Sequence, residues 1–96
     1  MEFGILFTSH PNTEAEPYPH REVHARVTKQ ILRADELGFD YAWLAEHHFT
    51  GYSVCPSVHL MGMHVADRTT NLRIGMAVTL AGFYHPLRVA DRKSVV

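Results

Sequence analysis

The stretch LGFDYAWLAEHHF, Leu37 to Phe49, decides the fold of this chain. It begins where a helical pattern ends, because Gly38 follows the last apolar residue and glycine favours the left-handed conformation that closes helices. Tyr41–Ala45 is then typical of a short buried strand. The apolar run stops abruptly at Glu46 and two adjacent histidines. The stretch therefore predicts a helix-to-strand junction with three polar side chains at the end of the strand.

The residues before this junction predict a strand, a loop and a long helix. Phe3–Thr8 is a short apolar run with aromatic and β-branched residues, which is typical of a buried strand. Ser9–Pro19 carries three prolines and is a predicted loop, of a length that is often functional. Arg21–Leu37 has apolar residues at steps of four, four, three and three, as on one face of a helix. This predicted buried face consists of Val23, Val27, Ile31, Ala34 and Leu37.

The residues after the junction repeat the alternation of helix and strand. The predicted elements are the loop Thr50–Cys55, a helix from Pro56 to about Arg68, the strand Leu72–Leu80, the loop Ala81–Tyr84 and a third helix from Pro86. Both prolines suit a first helical position, where an N–H would be unpaired in any case. Val58, Met61 and Val65 form the predicted buried stripe of the second helix.

The order of elements predicts an α/β fold with a parallel sheet. Strands and helices alternate, and successive strands start about 35 residues apart, which suits a βαβ unit. Alternating short apolar strands and helices indicate parallel strands with the helices packed on the sheet. With 96 residues, we expect one domain, residues 1–96.

The third predicted strand has two unlike faces. Ile74, Met76, Val78 and Leu80 alternate with residues that are mostly small, as strand geometry allows. The bulky set is expected under the helices, and the small residues Gly75, Ala77 and Thr79 on the other face. Glycine in a strand often marks the close approach of a ligand. The alternative is that small residues only fit a crowded interior, and the residues by themselves leave both open.

Composition and charge argue against several classes of protein. A hydrophobic content of 46% is ordinary for a globular domain. A net charge of −1, without a block of like charges, argues against nucleic acid or an anionic membrane surface as partner. No apolar run approaches the ~20 residues of a membrane helix, and the first residues lack the pattern of a signal peptide. We therefore expect a cytoplasmic protein.

Cysteine and histidine usage bears on disulfides and metals. The single cysteine, Cys55, rules out an internal disulfide framework. Eight histidines are unusual for 96 residues, but only His59 and His64 approach a zinc-ligand spacing, and a second pair is missing. A histidine-rich metal-binding module is thus an alternative, while scattered histidines without a metal are favoured.

Polar residues gather at the ends of the predicted strands. The first strand ends at His10, the second at Glu46, and the third at Thr79. In parallel α/β sheets and barrels, sites form at the carboxyl ends of strands. These side chains are therefore candidates for one pocket.

The two adjacent histidines cannot both serve that pocket. Neighbours on a strand point to opposite faces, so at most one of His47 and His48 faces it, as an acid or base near neutral pH. The alternative is two partly exposed histidines without a role. The sequence contains no glycine-rich phosphate loop and no nucleophile elbow.

The chain resembles the N-terminal part of the bacterial luciferase-like family of flavin-dependent monooxygenases. The motifs that carry the resemblance are FGILF, LGFDYAWLAEHHF, the helix after Pro56, DRTTNLRIGMAVTL and HPLRVA, in family order and spacing from about Met1 to Ala90. The resemblance implies a (β/α)₈ barrel and reduced FMN as cofactor, with the deazaflavin F420 as the alternative. It also implies that an organic substrate is oxidised with molecular oxygen as co-substrate.

The resemblance further implies roles for individual residues. His47 matches the catalytic base of the luciferase branch, and Glu46, His48 and His10 would line the substrate pocket. Ala77 and Val78 match the position of a non-prolyl cis peptide beside the flavin. The residues that would line the flavin are Gly75, Ala77, Val78 and Thr79.

The length limits what this chain is expected to do alone. A complete barrel needs about 250 residues, whereas this chain supplies three strands and the start of a third helix, which is still in progress at Val96. We expect a truncated family member whose third strand is a bare edge, open to pairing with another chain in an oligomer. The alternative to an active enzyme is therefore an inactive fragment or an assembly module that needs a complementary chain.

Overall fold

The predicted order of strands and helices is confirmed by the computed structural model, which describes residues 1–94. Its elements are β1 (Gly4–Phe7), α1 (Pro19–Glu36), β2 (Tyr41–Leu44), α2 (Val58–Ala66), β3 (Arg73–Met76), a 3₁₀ turn (Ala81–Phe83) and α3 (Pro86–Ser94). The expectation that the third helix is still in progress at Val96 lies outside the described residues.

The three strands form one parallel sheet in the order β1-β2-β3. Leu6 lies opposite Trp43, and Trp43 lies opposite Gly75, so these three residues share one face. The other face packs against the helices and carries Ile5, Phe7, Ala42, Leu44, Ile74 and Met76. The first face is open, with Leu6 56% and Trp43 38% exposed. The core of the described chain therefore lies on one side of the sheet only.

Helix α1 confirms most of its predicted apolar stripe. Val23, Val27, Ile31 and Ala34 are buried against the sheet and α2. Leu37 is a correction, because it caps the helix and is 58% exposed. Gly38 then takes a φ of +85°, the left-handed conformation predicted for it.

Helix α2 begins two residues later than predicted. Its first residue is Val58 and not Pro56, and Ser57 caps it, since the Ser57 hydroxyl accepts a hydrogen bond from the Leu60 N–H. A serine hydroxyl satisfies one of the otherwise unpaired N–H groups of the first turn. The predicted stripe is confirmed, since Val58, Met61 and Val65 are buried.

A carboxylate of α1 fixes the turn between α2 and β3. Asp35 accepts backbone N–H groups from Thr70, Asn71 and Leu72 at 2.8, 3.0 and 2.9 Å. These hydrogen bonds, from Thr70 first, hold the pKa of the Asp35 carboxyl below its usual value. The sequence pattern did not indicate this anchor, which joins residues about 35 positions apart.

Strand β3 is much shorter than the predicted Leu72–Leu80. Its last sheet bond is the Ala77 N–H to the Leu44 carbonyl, at 2.7 Å. Leu80 then donates its N–H to the Glu46 carboxylate, so a side chain replaces the neighbouring strand as partner. The predicted alternation consequently fails past Met76, and Val78 is 58% exposed instead of packed under the helices.

Candidate functional site

The carboxyl ends of the three parallel strands lie at one edge of the sheet, and the loop at residues 50–57 covers the ends of β1 and β2. Two backbone hydrogen bonds of 3.1 Å join this loop to the strand ends. The Val54 N–H of the loop donates to the Ser9 carbonyl after β1, and the His47 N–H after β2 donates to the Cys55 carbonyl of the loop. The Ser53 hydroxyl also donates to the Thr8 carbonyl. The loop is thereby held against the ends of β1 and β2.

His10 and His47 come together around Tyr52 of this loop. His10 Nδ1 donates to the Tyr52 carbonyl oxygen at 2.5 Å, and the two rings lie 5.0 Å apart. The half-buried His47 presents its ring edge-on to Tyr52 at 6.4 Å. Two predicted site residues thus share a neighbour that sequence reasoning missed. Its signal was an aromatic hydroxyl in the loop that follows the second strand.

His10 also faces a cleft of about 480 Å³. The cleft is lined by His10, Pro11, Asn12, Thr13, Glu14 and Arg26. Arg26 closes one side, since its guanidinium donates to Glu16 and to the His10 carbonyl at 2.9 and 2.8 Å. The predicted loop after the first strand therefore forms its own cleft next to the strand ends.

Glu46 is buried and not part of an open pocket, because its side chain has no exposed surface. One oxygen accepts the Tyr84 hydroxyl at 2.5 Å, and the other accepts the Leu80 N–H at 3.0 Å. Burial by itself raises the pKa of the Glu46 carboxyl, but the hydrogen bonds from Tyr84 and Leu80 and the nearby His48 outweigh it and hold that pKa below its usual value. Glu46 is therefore a carboxylate at neutral pH.

The side chains of His48 and His47 contact different neighbours, as predicted for adjacent residues at a strand end. Its ring stacks at 4.4 Å on Phe83, and its Nε2 lies 3.2 Å from Glu46, at ion-pair distance but outside good hydrogen-bond geometry. The exposed Phe49 ring lies near both rings. Sequence reasoning missed Phe83 and Tyr84, whose signal was the pair of aromatic residues just before the third helix.

The four residues predicted to line a flavin do not share one surface. The expected cis peptide bond between Ala77 and Val78 is present. Gly75, in contrast, is covered, since a Cβ there would lie 2.3 Å from the Trp43 ring. The Thr79 side chain points toward α2, where its hydroxyl lies 3.3 Å from His59 Nε2. The expectation that Thr79 shares a face with Gly75 is wrong, because the strand ends before it.

Neither a metal cluster nor a membrane helix occurs in residues 1–94. In this part of the chain, no three His, Cys, Asp or Glu side chains are arranged to hold a metal ion. Over the same residues, no helix is both long and apolar enough to cross a bilayer. The metal-binding alternative therefore gains no support from the described residues.

Comparison with known sequences identifies relatives over nearly the whole chain. The profile of the luciferase-like monooxygenase family matches residues 1–92. An uncharacterised protein of Sinorhizobium fredii is 48% identical over 93 residues, which are 95% of this chain and 25% of that protein. The alkanal monooxygenase alpha chain of Photobacterium phosphoreum is 34% identical over 88 residues, 92% of this chain and 24% of that protein.

Comparison with solved structures supports the same fold. The oxygenating constituent of 3,6-diketocamphane monooxygenase from Pseudomonas putida, solved in complex with FMN, matches 94% of this chain with a TM-score of 0.81 and 23% identity. The match covers 24% of that protein, so the chain spans about a quarter of the length of these relatives. The predicted α/β architecture, the first strands and helices of a (β/α)₈ barrel, is confirmed. From its sequence and its fold, the chain belongs to the luciferase-like monooxygenase family.

Proposed function

We propose that residues 1–96 are the N-terminal part of a flavin-dependent monooxygenase domain that oxidises an organic substrate with molecular oxygen. The family match over residues 1–92 supports the reaction class. The observation that carries the proposal is the position of His47 at the same sheet edge as Ala77 and Val78. Both features lie where barrel enzymes hold their reactive groups.

The residues at this edge suit a flat, largely apolar ring system. Trp43 fills the layer over Gly75, and the next positions along the three strands are the small residues Thr8, Ala45 and Ala77. Val78 adds exposed apolar surface beside them. Binding sites for cofactors combine such apolar walls with a few polar groups. A bound reduced flavin would supply the electrons that activate oxygen, and the chain would supply the surface that positions it.

His47 is the proposed proton-transfer residue. Its backbone N–H is fixed by Cys55, and its ring rests against Tyr52, so the imidazole is held at the edge while remaining half-buried. Imidazole gains and loses a proton near neutral pH, which general acid–base catalysis requires. In this role a ring nitrogen of His47 would take a proton from the substrate or return one to it.

We propose reduced FMN as the cofactor and F420 as the alternative. The support for FMN is the FMN complex of the diketocamphane monooxygenase constituent, whose fold this chain shares over 94% of its length. The organic substrate is not specified by these residues. His10, His48 and the aromatic rings of Tyr52, Phe49 and Phe83 are the proposed substrate-side contacts.

The second candidate function is an assembly module that becomes active only with a complementary chain. The open sheet face favours it, since Leu6, Trp43 and Phe3 expose apolar surface there and at the edge. Exposed apolar surface of this kind usually marks an interface. Pairing would occur through the outer edge of β1 or β3, since among residues 1–94 each of these strands pairs only with β2.

Anaerobic titration of the purified chain with reduced FMN, oxidised FMN and F420 tests the first proposal. We expect saturable binding of reduced FMN with the same affinity in His47→Gln. When oxygen is admitted after the titration, we expect this variant to have lost substrate oxidation. The exposed His20→Gln is the matched control and should retain both. Absence of binding up to about millimolar flavin, a free energy of only ~4 kcal/mol, would overturn activity of this chain alone. Sedimentation as a monomer with one cooperative thermal transition would count against the assembly module.

A further inference from the structure

Glu46 is a buried acid for which the proposed chemistry has no use. Its side chain is fully covered, and each of its oxygens has a hydrogen-bond donor from the segment that follows β3. A buried carboxylate is costly unless it is paired and hydrogen-bonded, and Glu46 meets that condition with Tyr84, Leu80 and the adjacent His48. Because no part of the Glu46 side chain is exposed, a substrate does not reach it in this structure.

The donors to Glu46 bracket a short turn. Leu80 precedes the 3₁₀ turn Ala81–Phe83, and Tyr84 follows it, so one carboxylate holds both ends of the turn. At the other end of the same segment, the Ala77 N–H is bonded to the Leu44 carbonyl. The segment at residues 77–84 is thus fixed to β2 at its start by backbone and at its end by Glu46.

Apolar packing contributes little to holding this segment. Val78 and Phe83 are both mostly exposed, and Leu80 is only half-buried. Segments with few buried apolar contacts open at low free-energy cost unless polar contacts hold them. Hydrogen bonds to a charged acceptor are roughly twice as strong as those between neutral groups. The Glu46 hydrogen bonds are therefore the charged contacts of this segment, beside the Thr79 contact with His59 and the stacking of Phe83 on His48.

We propose that Glu46 is a positioning residue whose carboxylate anchors the turn between Leu80 and Tyr84 to the end of β2 and thereby sets the position of Ala77 and Val78 relative to His47. The inference rests on the proposed function insofar as these residues serve a flavin. It reassigns Glu46 from the substrate pocket, where the sequence placed it, to the support beneath the flavin-facing segment. Tyr84 is its partner in this role.

The anchor depends on the charge of Glu46. A carboxylate offers acceptors to both donors, whereas a protonated carboxyl group replaces one acceptor with a donor. The titratable groups that face Glu46 are Tyr84, His48 on the same loop, Cys55 on the crossing loop and, through the Tyr84 ring, His59 of α2. Because its donors favour the charged form, the anchor is intact at neutral pH and released in acid.

Amide NMR of the whole chain tests the anchor without reference to flavin. In the wild type, the Leu80 amide shift should titrate in acid, below the usual range of a glutamate. Tyr84→Phe should move that titration to higher pH, because one donor to the carboxylate is lost, while Glu46→Gln should abolish it. Hydrogen exchange at Leu80 should accelerate about tenfold or more in Glu46→Gln, because two donors then share one neutral amide oxygen in place of two charged acceptors. The exposed Glu36→Gln is the matched control and should change neither.

Flavin titration of the same variants tests the positioning role. We expect reduced-FMN affinity to fall about tenfold in Glu46→Gln, equivalent to ~1.4 kcal/mol, and less in Tyr84→Phe, with the control unchanged. Flavin affinity should weaken in acid for the wild type but not for Glu46→Gln. If Glu46→Gln fails to fold, Tyr84→Phe still decides, since it keeps the carboxylate and the Leu80 bond.

The outcomes separate this inference from the proposed function. A wild type that binds no flavin overturns the proposed function, and the Leu80 titration then decides the anchor by itself. Equal flavin affinity in wild type, Glu46→Gln and Tyr84→Phe overturns the positioning role. A Leu80 amide that does not respond to acid or to Glu46→Gln overturns the anchor.

Discussion

Replacing Gly75 with alanine tests whether this position serves packing or a ligand. A Cβ at Gly75 would lie 2.3 Å from Cε3 and Cζ3 of Trp43, well inside normal contact. The indole has little room to move along the sheet, because it also lies over Gly4 and stacks on Tyr41 with ring centroids 5.4 Å apart. The added methyl should therefore displace the indole toward solvent.

The size of the effect follows from two opposing contributions. Overpacking of this kind costs about 1–3 kcal/mol, whereas exchanging glycine for alanine in a compatible conformation restores about 0.4–1 kcal/mol by restricting the unfolded chain. Gly75 has no positive φ, so its backbone accepts alanine. We expect Gly75→Ala to lower the free energy of unfolding by about 1–2 kcal/mol, a factor of roughly 5–30 in the folded-to-unfolded ratio.

Urea unfolding followed by tryptophan fluorescence measures this change. Trp43 is the single tryptophan of the chain, so its emission reports both the transition and the altered position of the indole. Gly82→Ala is the matched control, because a Cβ at Gly82 meets nothing within 4 Å. The reasoning is refuted if Gly75→Ala is as stable as Gly82→Ala and emits at the wild-type wavelength. The space over Gly75 would then be open to a ligand, as the resemblance implied.

Three further predictions concern the scaffold that holds the site. Ile31→Ala removes a fully buried side chain and should cost about 2–5 kcal/mol of unfolding free energy in urea; a loss no larger than that of the exposed Lys29→Ala would contradict the assigned core. In the wild type, the folded pKa of Asp35 lies below the ordinary 3.8, so the unfolded chain takes up the proton first and the free energy of unfolding falls as pH drops through that range. Asp35→Asn should remove this part of the acid dependence. Thermal melts of the wild type and Asp35→Asn between neutral and strongly acidic pH measure this difference. Parallel curves would show that the hydrogen bonds of Asp35 to the turn before β3 do not contribute to stability. Ser57→Ala should lose about 0.5–2 kcal/mol by removing the cap of α2, whereas Ser57→Asp should restore it in the same denaturation assay; equal loss in both would show that the cap is not formed.

Periodic patterns in the sequence predicted the framework because they depend on local geometry. The stripe of α1 from Val23 to Ala34 and that of α2 from Val58 to Val65 are buried as expected. Burial of an apolar face follows from the helical period alone. The left-handed Gly38 was equally predictable, since the requirement lies in its own backbone.

The predictions failed where a contact between distant residues replaces a local rule. Alternation predicted that strand β3 extends to Leu80, but its ladder with β2 ends at the Ala77 N–H, and the Leu80 N–H pairs with the carboxylate of Glu46, 34 positions earlier. Thr79 consequently lies against His59 instead of beside Gly75. Leu37 continues the apolar period and is nevertheless exposed, because the helix ends at Glu36.

The candidate site likewise contains residues that the sequence indicated and residues that it did not. The sequence indicated that His10, Glu46 and His47 lie at strand ends, since parallel strands bring their carboxyl ends to one edge. It did not indicate that Tyr52 joins the two histidines or that Tyr84 binds Glu46, because both aromatic residues arrive from loops. Loop side chains follow no period that a sequence pattern reveals.

The sequence by itself determined the order of strands and helices, the helix faces that are buried and, through its motifs, the family. These depend on residue types at fixed local spacings, which survive without knowledge of the rest of the chain. Only the tertiary structure decided that Gly75 makes room for Trp43 and that the buried Glu46 carboxylate accepts the Leu80 N–H and the Tyr84 hydroxyl. The first result follows from the register that sets Trp43 opposite Gly75. The second depends on where the segment after β3 returns to the sheet, which brings Leu80 and Tyr84 to Glu46 from outside the strands.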